Sequence, residues 1–420
     1  MDAREERGLQ IAATLPIQRN EHGFLVPSQS NKDKSYIVAG EDRRICSCPD
    51  FLDRWEPCKH IYAVRFIIQR QQNEDGTETY TQAVRVTYGQ QWSLYNAAQT
   101  HEGEHFVRLL RDLCDGIPQP PRGIGRPRLP LGGVVFGLAQ KTYGMMSGRR
   151  SATALRNACS DGLVAHAGHY NSLFRYLENP ALTPLLKELV AQTAAPVAAI
   201  ESDFAADSSG FATNSYSRWF DEKWGKVRSQ AKFIKCHIMT GVTTNIITAI
   251  EATPEQSSDS RQFPYLVDET AKRFDMREVS ADKAYSARGS IQAAVVVGAT
   301  PYIPFQDQAT GGTNTKHRKP DALWTRAWHY YNYHRVEFME HYHKRSNVET
   351  TFSMVKAKFG ASVRAKTPVA QVNEVLLKAI CHNIVVLIQT MYEFNIAPEF
   401  WQGGDVESEP WASRMQSARS

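Results

Sequence analysis

Four polar residues in the C-terminal part of the chain could act together, because they offer a carboxylate, a phenol and two cations at spacings that bring them to one side of a helix. They are Tyr342, Arg345, Glu349 and Lys356, in the pattern Y-x2-R-x3-E-x6-K. On a helix, with about 100° between successive residues, all four fall within an arc of about 60°. A second stripe, rotated from the first by roughly 80°, is apolar. It consists of Val348, Phe352, Val355 and Phe359. The pattern predicts an amphipathic helix over residues 341–360 that packs through its apolar stripe. Taken alone, it also fits a solvated helix face with unrelated charges.

A second group of residues has the chemistry of a metal site. Cys46, Cys48, Cys58 and His60 are spaced C-x-C-x9-C-x-H. Three thiolates and one imidazole complete a tetrahedral shell around zinc and leave no position for water, so the site would be structural. The alternative interpretation is a set of buried free thiols beside a core histidine.

Two aspartates stand where strands are expected to end. Asp207 follows an apolar run and precedes a Ser/Gly stretch that predicts a turn, and Asp282 follows a short predicted strand. Asp203 is an alternative to Asp207, but the D-S-S-G-F context favours Asp207. The segments between and after the aspartates predict a hairpin, a helix, and a further helix and strand. Their ranges are 233–239 with 244–252, 261–274, and 288–305.

These residues together resemble the DDE transposases of bacterial insertion sequences. The resemblance rests on the Y-R-E-K spacing, on the contexts D-S-S-G-F and A-D-K-A-Y, and on the order of the predicted elements. It implies an α/β fold with a ribonuclease-H-like mixed-sheet catalytic core. It also implies that Asp207, Asp282 and Glu349 are catalytic and hold two Mg²⁺ or Mn²⁺ ions, the metals that oxygen-only ligands favour. The residues expected to bind DNA phosphates are Tyr342, Arg345 and Lys356.

The cysteine-rich segment resembles the SWIM zinc finger, in which strands carry C-x-C and a C-x-H pair leads into a helix. The resemblance implies a small zinc-bound ββα module over residues 1–70, with a hairpin formed by 23–26 and 35–39. Such modules are associated with binding DNA or proteins. We expect a unit this small to fold only with its metal.

The region between these two parts is predicted to be helical and to bind DNA. Residues 71–117 indicate a polar and helical connector, and 118–195 an Arg-Pro linker followed by helices broken at Ser147–Gly148, typical of a helix-turn-helix-like module. In the linker, Arg126 and Arg128 belong to a GRPR sequence that resembles an AT-hook, which binds the minor groove. A plain basic linker fits equally well. Residues 196–395 form the predicted catalytic domain and 396–420 a flexible tail.

Composition bounds the function less tightly than the motifs do. A net charge of +5 over 420 residues is mildly basic and does not by itself indicate nucleic-acid binding. No apolar run in the sequence approaches the ~18 to 20 residues of a membrane span, and the N-terminal sequence is charged. We therefore expect a cytoplasmic, nucleoid-associated bacterial protein without membrane contact.

The sequence as a whole predicts a DNA transposase. Its expected partners are double-stranded DNA, comprising terminal inverted repeats and target DNA, and further copies of itself in a dimer or higher oligomer. Two alternatives belong to other classes. One is a domesticated, catalytically silent DNA-binding regulator, against which the intact carboxylates argue. The other is a zinc-dependent interaction protein, which leaves the C-terminal residues unexplained.

Overall fold

The structure, a computed structural model, divides into two compact units, Met1–Gln90 and Gln91–Ser420. The residues that it describes are 3–20, 22–29, 31, 34–40, 44–72, 78–82, 92–121, 127–213, 233–255, 257–311 and 321–401.

The smaller unit contains an antiparallel four-stranded sheet, formed in chain order by β1 (Gln18–Asn20), β2 (Gly23–Pro27), β3 (Ser35–Ala39) and β4 (Ile45–Cys46). The predicted hairpin is confirmed, because Phe24 of β2 lies opposite Val38 of β3. The first helix packs closely on the third, and a Cβ added at Gly8 would lie 2.5 Å from the Cβ of Tyr62. The other elements are α1 (Ala3–Thr14), α2 (Pro49–Arg54), α3 (Lys59–Ile67), β5 (Ile68–Gln72) and β6 (Glu78–Gln82).

The larger unit is built on a mixed five-stranded sheet, which confirms the α/β class with a mixed sheet. The strands are β7 (Asp203–Ala212), β8 (Phe233–Gly241), β9 (Ile247–Pro254), β10 (Glu278–Ala281) and β11 (Thr300–Tyr302). Their order is β11-β10-β7-β8-β9, with β10 parallel to both β7 and β11 and with β8 antiparallel to both β7 and β9. The central strand β7 therefore has one parallel and one antiparallel neighbour.

Helices surround this sheet, and all of them except the two that span residues 322–342 share one hydrophobic core with it. They are α4 (Trp92–Asp115), α5 (Leu131–Tyr143), α6 (Gly148–Ser160), α7 (Tyr170–Leu177), α8 (Leu182–Ala194), α9 (Asp259–Ala271), α10 (Arg288–Val296), α11 (Ala322–Tyr333), α12 (Arg335–Tyr342), α13 (Ser346–Phe359) and α14 (Pro368–Glu393). Helix α14 packs against α4, α5, α7 and α8 as well as β9. By length and composition alone α14 could cross a membrane, but 78% of its most apolar window is buried inside the protein, as in a core helix.

Asp207 does not end its strand, contrary to the sequence-based prediction. Strand β7 continues to Ala212 and pairs with β8 along its length, with Ser209 opposite Cys236 and Gly210 opposite Lys235. A Cβ at Gly210 would lie 2.8 Å from the ring of Phe233. The small residues after Asp207 therefore reflect close packing within the sheet and not a turn.

Two boundaries also differ from the predicted ones. Helix α4, assigned from sequence to a connector, contributes Phe106, Leu110 and Leu113 to the core of the larger unit. Residues 396–401, assigned to a flexible tail, pack against that core, and the indole Nε1 of Trp401 donates to the Leu113 carbonyl at 3.0 Å. The rest of the predicted tail lies outside the described residues.

Candidate active site and metal centre

Strand register brings the two candidate aspartates together. Strands β7 and β10 run parallel, and Ala206 lies beside Ala281. Asp207 and Asp282 each occupy the next position, so their side chains leave neighbouring strands at the same level. Asp282 ends its strand as predicted, and its side chain accepts a bond from the backbone N–H of Lys283 at 2.6 Å.

The third candidate carboxylate comes from α13, which begins inside the segment predicted to be one helix. Residues 341–360 are not one helix: Tyr342 ends α12, residues His343–Arg345 form a 3₁₀ turn, and Glu349 lies in the first turn of α13. The apolar stripe of the pattern is buried as predicted. The tight turn keeps the polar residues on neighbouring faces although the two helices are separate.

Arg345 joins the candidate carboxylates. Its guanidinium Nη1 donates to Asp207 Oδ2 at 3.0 Å, and its Nη2 pairs with Glu349 Oε1. The side chains of Arg345 and Asp207 are about four-fifths buried, whereas that of Glu349 is 56% exposed. One cation therefore ties the strand aspartate to the helix glutamate, and the Glu349 side opens toward solvent.

Tyr342 and Lys356 lie beside this group. The Lys356 ammonium donates to Ser209 Oγ at 2.6 Å, and Ser209 points to the same face of β7 as Asp207. The Arg345 guanidinium lies 5.8 Å from the centre of the Tyr342 ring. Burial raises the pKa of the Tyr342 phenol, and the negative charges of Asp282 and Asp207 add to that shift. The structure thus gathers all four members of the Y-R-E-K pattern around Asp207.

The electrostatics of Asp207 show how crowded the acidic group is. Burial raises the pKa of its carboxyl, and the charges of Asp282 and Glu349 raise it further. The Ser208 backbone N–H and Arg345 act in the opposite direction. A site that concentrates negative charge in this way is chemically suited to cations.

Asp203, the alternative to Asp207, has a different role. It receives Lys344 Nζ at 2.8 Å and Arg277 Nη2 at 3.2 Å, and Lys344 also reaches Glu278 at 2.7 Å. The two ion pairs of Lys344 hold the 3₁₀ turn that carries Arg345 against β7 and β10. The sequence analysis missed Lys344 and Ser209. Strand alternation could have indicated Ser209, two residues beyond Asp207, whereas nothing in the sequence pairs Lys344 with Asp203.

The donor set fits magnesium or manganese. Asp207, Asp282 and Glu349 offer only carboxylate oxygens, which are hard ligands that these ions prefer. Among the described residues, the three carboxylates do not form a preassembled group that could hold a metal ion. Arg345 lies between two of them instead.

The Cys/His group in the smaller unit does form such a group. The ligand atoms of Cys46, Cys48, Cys58 and His60 all lie within 4.8 Å of one another, and all four residues are buried. The Nδ1 atom of His60 is 3.8 Å from the sulfurs of Cys46 and Cys58. A hydrogen bond from the Cys46 thiol lowers the pKa of Cys58 to about 4, whereas burial raises that of Cys48. The geometry and the donor chemistry fit a structural zinc ion.

Local structure explains how this group assembles. Cys46 ends β4, Cys48 occupies the position just before α2, Cys58 immediately precedes α3 and His60 lies in its first turn. The antiparallel pairing of β3 and β4 places Cys46 beside Val38 in the core of the unit. The four ligands thus come from one strand end and two helix starts.

Of the two candidate arginines in the linker, the structure describes only Arg128. Arg128 is exposed just before α5, with no ion-pair partner in the described part of the chain, and Arg126 lies outside the described residues. Helices α5 and α6 meet at a turn as predicted, and Ser147 accepts a capping bond from the Arg150 backbone N–H at 3.4 Å. Helix α6 contains no acidic residue and exposes Arg149, Arg150 and Arg156.

Part of the chain matches a known protein family. Residues 199–384 match the family model described as Transposase DDE domain. That range begins just before β7, includes all three candidate carboxylates and ends within α14. No curated protein sequence matches the chain.

Proposed function

We propose that this chain, whose residues 199–384 carry a transposase DDE domain, cuts DNA at the ends of a mobile element and joins the 3′ ends to target DNA. The observation that carries the proposal is the convergence of Asp207 and Asp282, at neighbouring positions of β7 and β10, with Glu349 at the start of α13. The family match supports transposition in general. The particular reaction and its residues are our proposal.

In this reaction the three carboxylates hold the metal, with Asp207 between Asp282 and Glu349. When bound, two Mg²⁺ or Mn²⁺ ions stabilise the attacking and leaving oxygens of an in-line phosphodiester displacement. Arg345 and Lys356 neutralise phosphate oxygens, and the planar guanidinium of Arg345 suits bidentate contact with a phosphate. Tyr342 donates a hydrogen bond to a phosphate from its largely buried position beside Arg345.

Duplex DNA is held by the helical part of the larger unit in this proposal. Helix α6, which contains no acidic residue, presents three exposed arginines, and α5 supports it across a short turn. Such a helix fits the major groove, and its arginines suit phosphates or guanine edges. Arg126 and Arg128 would extend the contact along the backbone. The zinc module binds DNA or protein, and a dimer or larger assembly brings two element ends together in the bacterial cytoplasm.

Cleavage of DNA that carries the flanking element's own terminal repeats tests the proposal. The wild type is compared with Glu349→Gln in Mg²⁺ and in Mn²⁺, at protein concentrations that give equal DNA binding. The matched control is Glu340→Gln, which makes the same change at an exposed position of α12. We expect Glu349→Gln to lower cleavage by at least ~10²-fold, the usual scale for loss of a catalytic electrostatic contact, without loss of binding.

Two results would contradict the proposal. Equal cleavage by wild type and Glu349→Gln would remove Glu349 from the active site. DNA binding by every protein with cleavage by none, in both metals, would instead identify a catalytically silent DNA-binding regulator.

A further inference from the structure

The segment that follows α13 is bonded along one edge to the far end of β7. We call residues 360–365 the strap. The backbone N–H of Ala212 donates to the Ala361 carbonyl at 3.1 Å, and the N–H of Val363 donates to the Ala212 carbonyl at 2.9 Å. The strap thus adds a short parallel bridge to the strand that carries Asp207.

The other edge of the strap is bonded to two buried charged side chains of α14. The Lys378 ammonium donates to the carbonyls of Gly360 and Ser362, both at 2.7 Å. The Glu374 carboxylate accepts from the backbone N–H of Arg364 at 3.0 Å and of Ala365 at 2.8 Å. These residues supply the donors and acceptors that a neighbouring strand would otherwise supply.

Burial makes these bonds informative. Lys378 is 2% exposed and Glu374 is 6% exposed. Burying a charge is costly unless it is hydrogen-bonded, and an apolar pair of similar size often serves stability as well. In the described part of the chain neither residue forms an ion pair at close range, and each directs its charge at strap backbone. The pair is therefore arranged to hold the strap, which stability alone does not require.

The strap is placed to set the position of α13 against β7. Asp207 lies earlier in β7 and Glu349 lies earlier in α13, so the strap joins the far ends of the two elements that carry these carboxylates. A slip of one residue would move α13 by ~1.5 Å along its axis. A displacement of about 1 Å is enough to slow a reaction ~10²-fold, and functional groups must be held within about 0.5 Å.

We propose that Lys378 and Glu374 are positioning residues that fix α13, and with it Glu349, in register with Asp207. This inference rests on the proposed DNA cleavage. Neither residue touches the candidate metal ligands directly. They act through the strap backbone at one end of α13, while Arg345 joins the carboxylates at the other end.

The variant Lys378→Met removes both hydrogen bonds from the ammonium to the strap and keeps an unbranched side chain. We expect cleavage at saturating DNA to fall ~10- to 100-fold, DNA affinity to change less than twofold, and the Mn²⁺ concentration for half-maximal cleavage to rise. Amide hydrogen exchange should speed up in α13 and the strap. Glu374→Gln, which removes the charge with little change in shape, should show the same pattern more weakly and serves if Lys378→Met does not fold.

The matched control is Asn373→Ala on the same helix. Asn373 is fully buried, accepts from Thr183 Oγ1 and donates to the Leu177 carbonyl, both at 2.8 Å, without contacting the strap. We expect this variant to lose thermal stability, yet to cleave within about threefold of wild type well below its melting temperature.

The inference is wrong if folded Lys378→Met cleaves with the wild-type rate and metal dependence, or if Asn373→Ala loses as much cleavage. A wild type that cannot cleave would refute the proposed function instead. In that case Mn²⁺ affinity and hydrogen exchange in α13 still decide the positioning role, because an unchanged value of both in Lys378→Met and Glu374→Gln would overturn it.

Discussion

The two units of this protein contain candidate metal sites of opposite construction. In the smaller unit, the short stretch from Cys46 to His60 supplies four buried ligands, three thiols and one imidazole, that already lie close together. In the larger unit, Asp207, Asp282 and Glu349 come from two strands and a helix that are distant in sequence, and Arg345 lies between two of them. The first site is closed, and the second opens to solvent at Glu349.

This difference indicates whether the metal supports the fold, as in the smaller unit, or the fold creates the metal site, as in the larger one. A small unit with few apolar core residues gains much of its folding free energy from a bound structural metal. The carboxylates of the larger unit are instead brought together by a sheet and helices that share an extensive apolar core, so the fold creates that site. We therefore expect loss of metal to unfold the first unit and only to inactivate the second.

Replacing a zinc ligand is the most severe way to separate the two sites. Cys58→Ala should abolish zinc binding and unfold the smaller unit, because structural zinc contributes ~10 to 16 kcal/mol of apparent binding free energy. Zinc content and limited proteolysis of residues 1–90 measure this loss. The larger unit should keep its cooperative thermal transition.

The control for that prediction is Cys159→Ala, which removes a half-buried thiol from the larger unit. It should retain full zinc content. A Cys58→Ala protein whose first 90 residues resist protease as well as wild type would show that the thiols are core residues and would remove the contrast between the sites.

The contrast also explains how much of the structure was predictable. The zinc ligands are close in sequence, so their spacing alone reported their geometry. The hairpin β8–β9, the strand before Asp282 and the buried face of α13 likewise follow from local apolar patterns. Local pattern was enough wherever neighbouring residues in the chain are also neighbours in the fold.

Long-range contacts are what the sequence did not report. The Ser-Gly stretch after Asp207 has the composition of a turn, yet pairing with β8 extends the strand through it. Helix α4 was assigned to a connector because its apolar face is buried by α14, which lies far along the chain. The role of Lys344 likewise depends on Asp203 and Glu278, which only the folded sheet brings together.

Arg345 tests the open site most directly. Arg345→Ala should lower cleavage ~10²- to 10³-fold, about 3 to 4 kcal/mol of transition-state stabilisation. Without divalent metal it should also lower the stability of the larger unit by about 1 to 2 kcal/mol, a value kept small because Glu349 is mostly exposed. Added Mg²⁺ should raise the melting temperature of this variant more than that of wild type.

Arg277→Ala is the control for Arg345, because Arg277 is 69% exposed and its side chain bonds to Asp203 and to Ser202 Oγ. We expect it to change stability by less than about 0.5 kcal/mol and to leave the Mg²⁺ response unaltered. Equal Mg²⁺ stabilisation of Arg345→Ala and wild type would mean that Arg345 does not compete for the carboxylates, and the comparison with the closed site would lose its basis.

Acid should lower the stability of both units, but for different reasons. In the larger unit a reason that can be tested is the titration of His382. This residue is 2% exposed, and its Nε2–H donates to the Asn245 carbonyl at 2.9 Å. Burial lowers the pKa of His382 to about 4, and the charge of Lys358 lowers it too, although the bond to Asn245 opposes the shift. The pKa of His382 is about 6.5 in the unfolded chain and about 4 in the folded one. Between these pH values the unfolded chain binds a proton that the folded chain does not, so the free energy of unfolding falls as the pH falls. Over that range the loss of unfolding free energy approaches about 3 kcal/mol.

The variant His382→Gln retains a donor for Asn245 but cannot titrate. Its stability, measured by urea unfolding, should therefore decline less steeply between pH 6.5 and 4. Some decline must remain, because burial also lowers the pKa of His237 to about 4. Since neither histidine is a zinc ligand, the difference between variant and wild type should be the same with and without zinc, whereas acid loss in the smaller unit should follow zinc release. Identical pH profiles for His382→Gln and wild type would show that acid does not act on the larger unit through this residue.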